Sequence, residues 1–118
     1  MLTPRQIALR WIDSFNQHDV LGLIALYSRH AMHTSPKLRI ARPESHGEIV
    51  GVHALVEWWQ DTFRRLPGLR YTLIRMTCSS ERALIEYVRH IPGEDPTIGA
   101  EVFDVQSGLI IASRVYNG

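Results

Sequence analysis

Apolar side chains return every three or four residues in the first half of the chain and every second residue in the last part. Ile7, Ala8, Trp11, Ile12 and Phe15 line one side of a helix predicted from about Pro4 to Asn16. Thr3-Pro4-Arg5-Gln6 supplies its start, with a hydroxyl at the cap, proline at the first helical position and glutamine closing the box. Asp19 caps a second, shorter helix on which Val20, Leu23, Ile24 and Tyr27 share a face, so the two form a helical hairpin. From Ala31 to Lys37 the pattern predicts short extended structure ending at Pro36, and a helix-to-strand break between His30 and His33. "RPESHGEIVG" is polar and rich in turn residues, which leaves the conformation of 37–50 open. Val52, Leu55, Val56, Trp59, Phe63 and Leu66 mark a third helix, stopped by Pro67-Gly68.

Beyond Gly68, "LRYTLIRMTCS", "RALIEYVRHI", "TIGAEVFDV" and "LIIASRVY" read as three or four long antiparallel strands joined by hairpins. Helices followed by a meander predict an α+β fold, three N-terminal helices packed on one face of a curved, mostly antiparallel sheet. Residues 1–118 form one domain around one core. Three helices cover one face of the sheet only. The other face, if it carries Val88 and Val102, calls for a second subunit, and a homodimer through the sheet is expected.

Charge narrows the partners. Thirteen Lys and Arg against twelve Asp and Glu give +1, with no block of one sign longer than a pair such as Arg64-Arg65. This excludes the electrostatic footprint of a nucleic-acid or charged-membrane binder. Cys78 is the only cysteine, so there is no intramolecular disulfide and no cysteine-based zinc site, and a reducing, cytoplasmic location is expected. No signal-peptide pattern or membrane span is read, because charges interrupt every apolar run.

The order of elements and three strings, "RWIDSFNQHDVLGLIALYSRHAMHTSP", "GVHALVEWW" and "EVFDVQSGLIIASRVY", resemble the nuclear transport factor 2-like superfamily. Within it they are most similar to the SnoaL-like (polyketide cyclase-like) and ketosteroid isomerase-like branch. The resemblance implies a cone, the cystatin-like α+β barrel, open at one end with a pocket inside. It covers isomerases, cyclases, epoxide hydrolases, dehydratases and non-catalytic binding proteins. In the ketosteroid isomerase pattern the general-base position falls at Ser35, the oxyanion tyrosine at Trp11, the protonated acid at Glu101 and an aromatic pair at Trp58 and Trp59.

Strand alternation puts Gly99, Glu101, Phe103 and Val105 on one face. If that face is the core, Glu101 sits among apolar walls, its pKa rises, and it can act as a neutral donor or general acid near pH 7. The alternative is a glutamate at the cone mouth, paired with Arg89 or Arg114. His33 and Ser35 share a strand face, and the resemblance turns Ser35 inward, which brings His33 toward Glu101. A neighbouring carboxylate would favour the charged imidazole. The plainer reading of His33 is a strand-end histidine bonded to backbone or water.

Trp11, Trp59, Phe63, Tyr87 and Phe103 are core residues if the cone is filled; if its centre is open, they and Ser35 line a ligand cavity. Trp58 then only flanks Trp59. Six scattered histidines with no HExxH motif suggest no metal site, and no glycine-rich phosphate loop or nucleophile elbow occurs. The expected function is binding of a small, largely apolar organic molecule, with isomerase, cyclase or hydrolase chemistry by proton transfer from Glu101 and His33 and no cofactor. A non-catalytic ligand-binding or dimeric scaffold protein is the alternative.

Overall fold

Thr3 starts the first helix as the pattern predicts. Its hydroxyl accepts from the Gln6 N–H at 3.2 Å while the Gln6 side chain accepts from the Thr3 N–H at 2.9 Å. The computed structural model describes residues 1–117. Helix α1 spans Pro4–Asn16 and buries Ile7, Ala8, Trp11 and Phe15. Helix α2, Val20–Ile24, begins at Asp19, whose carboxylate accepts from the Gly22 N–H.

Tyr27 does not extend the face of α2. It opens strand β1, Tyr27–Thr34, opposite Ile110, because the Leu26 carbonyl takes the Ile110 N–H and draws the chain into a ladder. His30 and His33 therefore lie on one strand with no break between them, and their odd spacing sends His30 outward and His33 inward. Pro36 does more than end an extended segment. With Ser35 capping at the Lys37 N–H, it opens a short helix α3, Pro36–Ala41. A 3₁₀ turn at Pro43–Ser45 and strand β2, Glu48–Val50, complete the stretch whose sequence has no periodicity.

Helix α4, Val52–Arg65, buries Leu55, Trp58, Trp59 and Phe63. The four long strands follow as β3 Arg70–Cys78, β4 Arg82–His90, β5 Thr97–Gln106 and β6 Leu109–Asn117. The sheet order is β2-β1-β6-β5-β4-β3, and every pair is antiparallel except β1 with β6. Register breaks in β1, in β3 and between Asp104 and Val105 bend the sheet around the helices.

The core lies between α1, α4 and the inner sheet face, where Trp11 and Phe103 meet at 5.1 Å between ring centroids. Each such fully buried side chain contributes roughly 1.5–3 kcal/mol of burial. The outer sheet face leaves Met32, Ile74, Ile98, Ile111 and Tyr116 exposed.

Candidate functional site

Two strands distant in sequence build the site. On β5, Gly99, Glu101, Phe103 and Val105 point inward, and Glu101 is only 1% exposed. Strand β1 sets His33, 3% exposed, in register with Ser113 of β6, which is fully buried. The parallel β1–β6 pair thus delivers an imidazole to a carboxyl. His33 Nδ1 lies 3.9 Å from Glu101 Oε2.

Trp11, Tyr27, Ser113 and His33 form a buried hydrogen-bond chain. The Trp11 indole N–H donates to the Tyr27 hydroxyl at 3.1 Å, and Tyr27 donates to Ser113 Oγ at 2.9 Å. Ser113 Oγ is 2.7 Å from His33 Nδ1. An indole can only donate, so Tyr27 must accept there and pass its own proton to Ser113. Ser113, having accepted from Tyr27, keeps a proton of its own that it can donate to Nδ1, an arrangement that suits a neutral His33 carrying its proton on Nε2. Glu101 Oε2 is left buried without a hydrogen-bond partner among the described residues. Such an orphan costs about 1–3 kcal/mol and is usually explained by function.

Burial controls the charge of both groups. It pushes the Glu101 carboxyl up to about 8 and the His33 imidazole down to about 4. Between those values both are neutral, so the carboxyl does not favour a charged imidazole as the sequence suggested; loss of water outweighs attraction across 3.9 Å. Burial also lifts the Tyr71 phenol to about 12, and the Tyr27 phenol rises for the same reason.

A cavity of about 50 Å³ reaches this pair. Trp11, Trp58, Trp59 and Tyr71 wall it, with Ser35 beside His33 and with Lys37 and Arg89 among its lining. Since one liquid water occupies about 30 Å³, the space at rest holds only one or two. Trp58 lines the wall as fully as Trp59, a correction to its flanking role, and Arg42 sits 5.6 Å over its ring. Phe103 and Phe63 are not on the wall. Phe103 is packed behind Trp11, and Phe63 stacks on His18 at 4.2 Å. Tyr87 faces an adjoining cavity of about 140 Å³, held there by its stack on Tyr71 at 3.9 Å. Neither Arg89 nor Arg114 pairs with Glu101; Arg114 binds Asp104 at 2.7 Å on the outer face. A larger depression of about 520 Å³ at Ser79, Arg82 and Asp104 contains neither His33 nor Glu101.

Sequence reasoning missed Tyr27, Ser113, Tyr71 and Lys37, and named Arg89 only as the alternative ion-pair partner of Glu101. Ser113 carried a usable signal, a hydroxyl two residues from Val115 and directly across from Phe103 in the β5–β6 register, but only the pairing reveals it. Among the described residues, no three His, Cys, Asp or Glu side chains converge as metal ligands, and no helix is long and apolar enough to cross a membrane.

Comparison with protein families matches residues 8–113 to the SnoaL-like domain. Comparison with curated proteins finds no match. Among solved structures, a SnoaL-like protein of unknown function from Burkholderia thailandensis has TM-score 0.87 at 21% identity, over 98% of this chain and 93% of that one. A cystatin-fold protein from Novosphingobium aromaticivorans has TM-score 0.81 at 12% identity, over 99% and 100%. A protein from Catenulispora acidiphila with a ketosteroid isomerase-like fold, in complex with trimethylamine, has TM-score 0.76 at 16% identity, over 99% and 88%. At these identities the likeness is one of fold.

Proposed function

The chain belongs to the SnoaL-like domain family, and from that premise we propose that it binds a small organic molecule and catalyses proton transfer on it without a cofactor. The observation that supports this reading is the juxtaposition of a neutral carboxyl and a neutral imidazole, 3.9 Å apart and both buried, at the end of an aromatic cavity. Glu101 gives its proton to a substrate oxygen while His33 Nδ1 takes one from an adjacent carbon, with the Ser113 hydroxyl turning aside. The products are an enol and a carboxylate–imidazolium pair. Giving the imidazolium proton to a different carbon while the Glu101 carboxylate takes back the enol proton completes an isomerisation and restores both neutral groups.

The experiment is deuterium incorporation into small ketones and enones in heavy water, followed by NMR, with the wild type, Glu101→Gln and His33→Ala. Exchange that the wild type accelerates and both variants lose supports the proposal. Equal exchange in all three, or none above buffer, overturns it.

The resting volume of about 50 Å³ and the serine at position 35 favour a second reading, a binding protein without turnover. Ligand-induced stabilisation that is the same in all three proteins, with no exchange, selects it. In either reading we propose a homodimer through the outer sheet face, where Met32, Ile111 and Tyr116 stand exposed. Light scattering of Ile111→Lys against wild type tests it, and a wild-type monomer at micromolar concentration sinks it.

A further inference from the structure

Lys37 and Arg89 each line both the cavity at Glu101 and the adjoining one at Tyr87, with Tyr71 between them. Lys37 is the only lysine in the chain. Arg64, Arg65, Arg75, Arg82 and Arg114 each meet a carboxylate within hydrogen-bonding distance. Lys37 and Arg89 form no ion pair among the described residues. They are close enough that Arg89, after burial, pushes the Lys37 ammonium down, and Glu94 is the only carboxylate that acts in the other direction. The acid that shares their cavity, Glu101, stays uncharged up to about pH 8. The doorway therefore carries two positive charges near neutrality against low-dielectric aromatic walls, which concentrates anions.

We propose that the ligand of this pocket is a small organic carboxylate. Its anionic end is held between Lys37 and Arg89, and its apolar body runs past Tyr71 and Trp58 toward the proton of Glu101. Arg89 supplies a planar fork that matches a carboxylate and Lys37 a point charge beside it. The two cavities, about 50 and 140 Å³, become the two halves of one site once a ligand bridges their shared wall. This inference rests on the small-molecule reading above and adds the charge of the molecule.

The single lysine makes the test direct. Reductive methylation with ¹³C labels the Lys37 side chain, and its resonance is followed during titration with benzoate, benzamide, benzylammonium and trimethylammonium. Benzoate is expected to move that resonance and raise the Lys37 pKa. It should bind at least about tenfold more tightly than benzamide, as a charge-assisted contact implies. Lys37→Met and Arg89→Gln should each weaken benzoate by about tenfold and leave benzamide unchanged. Lys37 is exposed, so Lys37→Met should not disturb folding. Benzamide binding as tightly as benzoate, or a preference for either ammonium ion, overturns the charge assignment and leaves the pocket reading standing. A Lys37 signal unmoved by benzoate while Trp58 and Trp59 also report no binding of any probe overturns both.

Discussion

The His33 imidazole stops 3.9 Å short of the Glu101 carboxyl, and its Nδ1 shares a hydrogen bond with Ser113 Oγ instead, at 2.7 Å. That leaves an uncharged acid and an uncharged base side by side with opposite responses to pH. The Glu101 proton, retained in the folded state up to about 8 against an ordinary 4.5, contributes stability that is complete at low pH and lost as pH rises toward 8. His33, held to about 4 against an ordinary 6.5, contributes stability that is complete above 6.5 and lost as pH falls toward 4. Between 4.5 and 6.5 the unfolded chain carries the one proton on histidine and the folded chain carries it on glutamate, so the slopes cancel.

Stability from this pair should therefore form a plateau from about pH 4.5 to 6.5 and fall on both sides by about 1.4 kcal/mol per pH unit where one proton is exchanged. Urea denaturation across pH checks it. Glu101→Gln should flatten the alkaline limb and His33→Asn the acid limb; a Glu101→Gln profile that still falls between pH 6.5 and 8 contradicts the assignment.

Replacing the orphaned acid with a side chain of similar volume and no polar atom should stabilise the fold. Glu101→Met is expected to gain about 1–2 kcal/mol at pH 8 while abolishing any exchange activity, the trade-off of a residue kept for function. A less stable Glu101→Met at that pH would show that the carboxyl has a structural partner.

Ser113→Ala removes in one step the hydroxyl that accepts from Tyr27 and bonds His33 Nδ1. It should cost about 1–3 kcal/mol. ¹⁵N NMR should then lose the single Nε2–H tautomer of His33. Retention of one tautomer in the variant would mean that something other than the serine sets it.

Gly99→Ala should be costly although the glycine lies in an ordinary strand. A β-carbon there would come within 3.0–3.1 Å of the Tyr87 ring and hydroxyl, and Tyr87 would have to shift against its stack on Tyr71 at 3.9 Å. A loss of about 1–3 kcal/mol by thermal or urea unfolding is expected, as for overpacking in a core.

The helices, the meander and the inward turn of Glu101 were legible because each follows a period that one strand or helix carries by itself. Residues 37–50 have no such period, and Pro36, which reads equally as an end or a beginning, turned out to start a helix. Tyr27 matched the apolar step of α2 but was captured by Ile110, a preference no local window contains. The imidazole at His33 was legible and its charge was not, since neutrality depends on burial from every side. Lys37 and Arg89 line the same cavities only because α3 packs where it does.

The imidazole of the site comes from β1 and its carboxyl from β5, and β1 joins the meander through β6, the only parallel pair among the described residues. Such pairing closes a long stretch of chain before it returns any contact energy, which makes it slow. A nascent polypeptide can have its helices, its first hairpins and Glu101 in place and still lack a pocket. The contact between His33 and Ser113, and with it the wall that Val115 adds to the cavity, arrives only with β6.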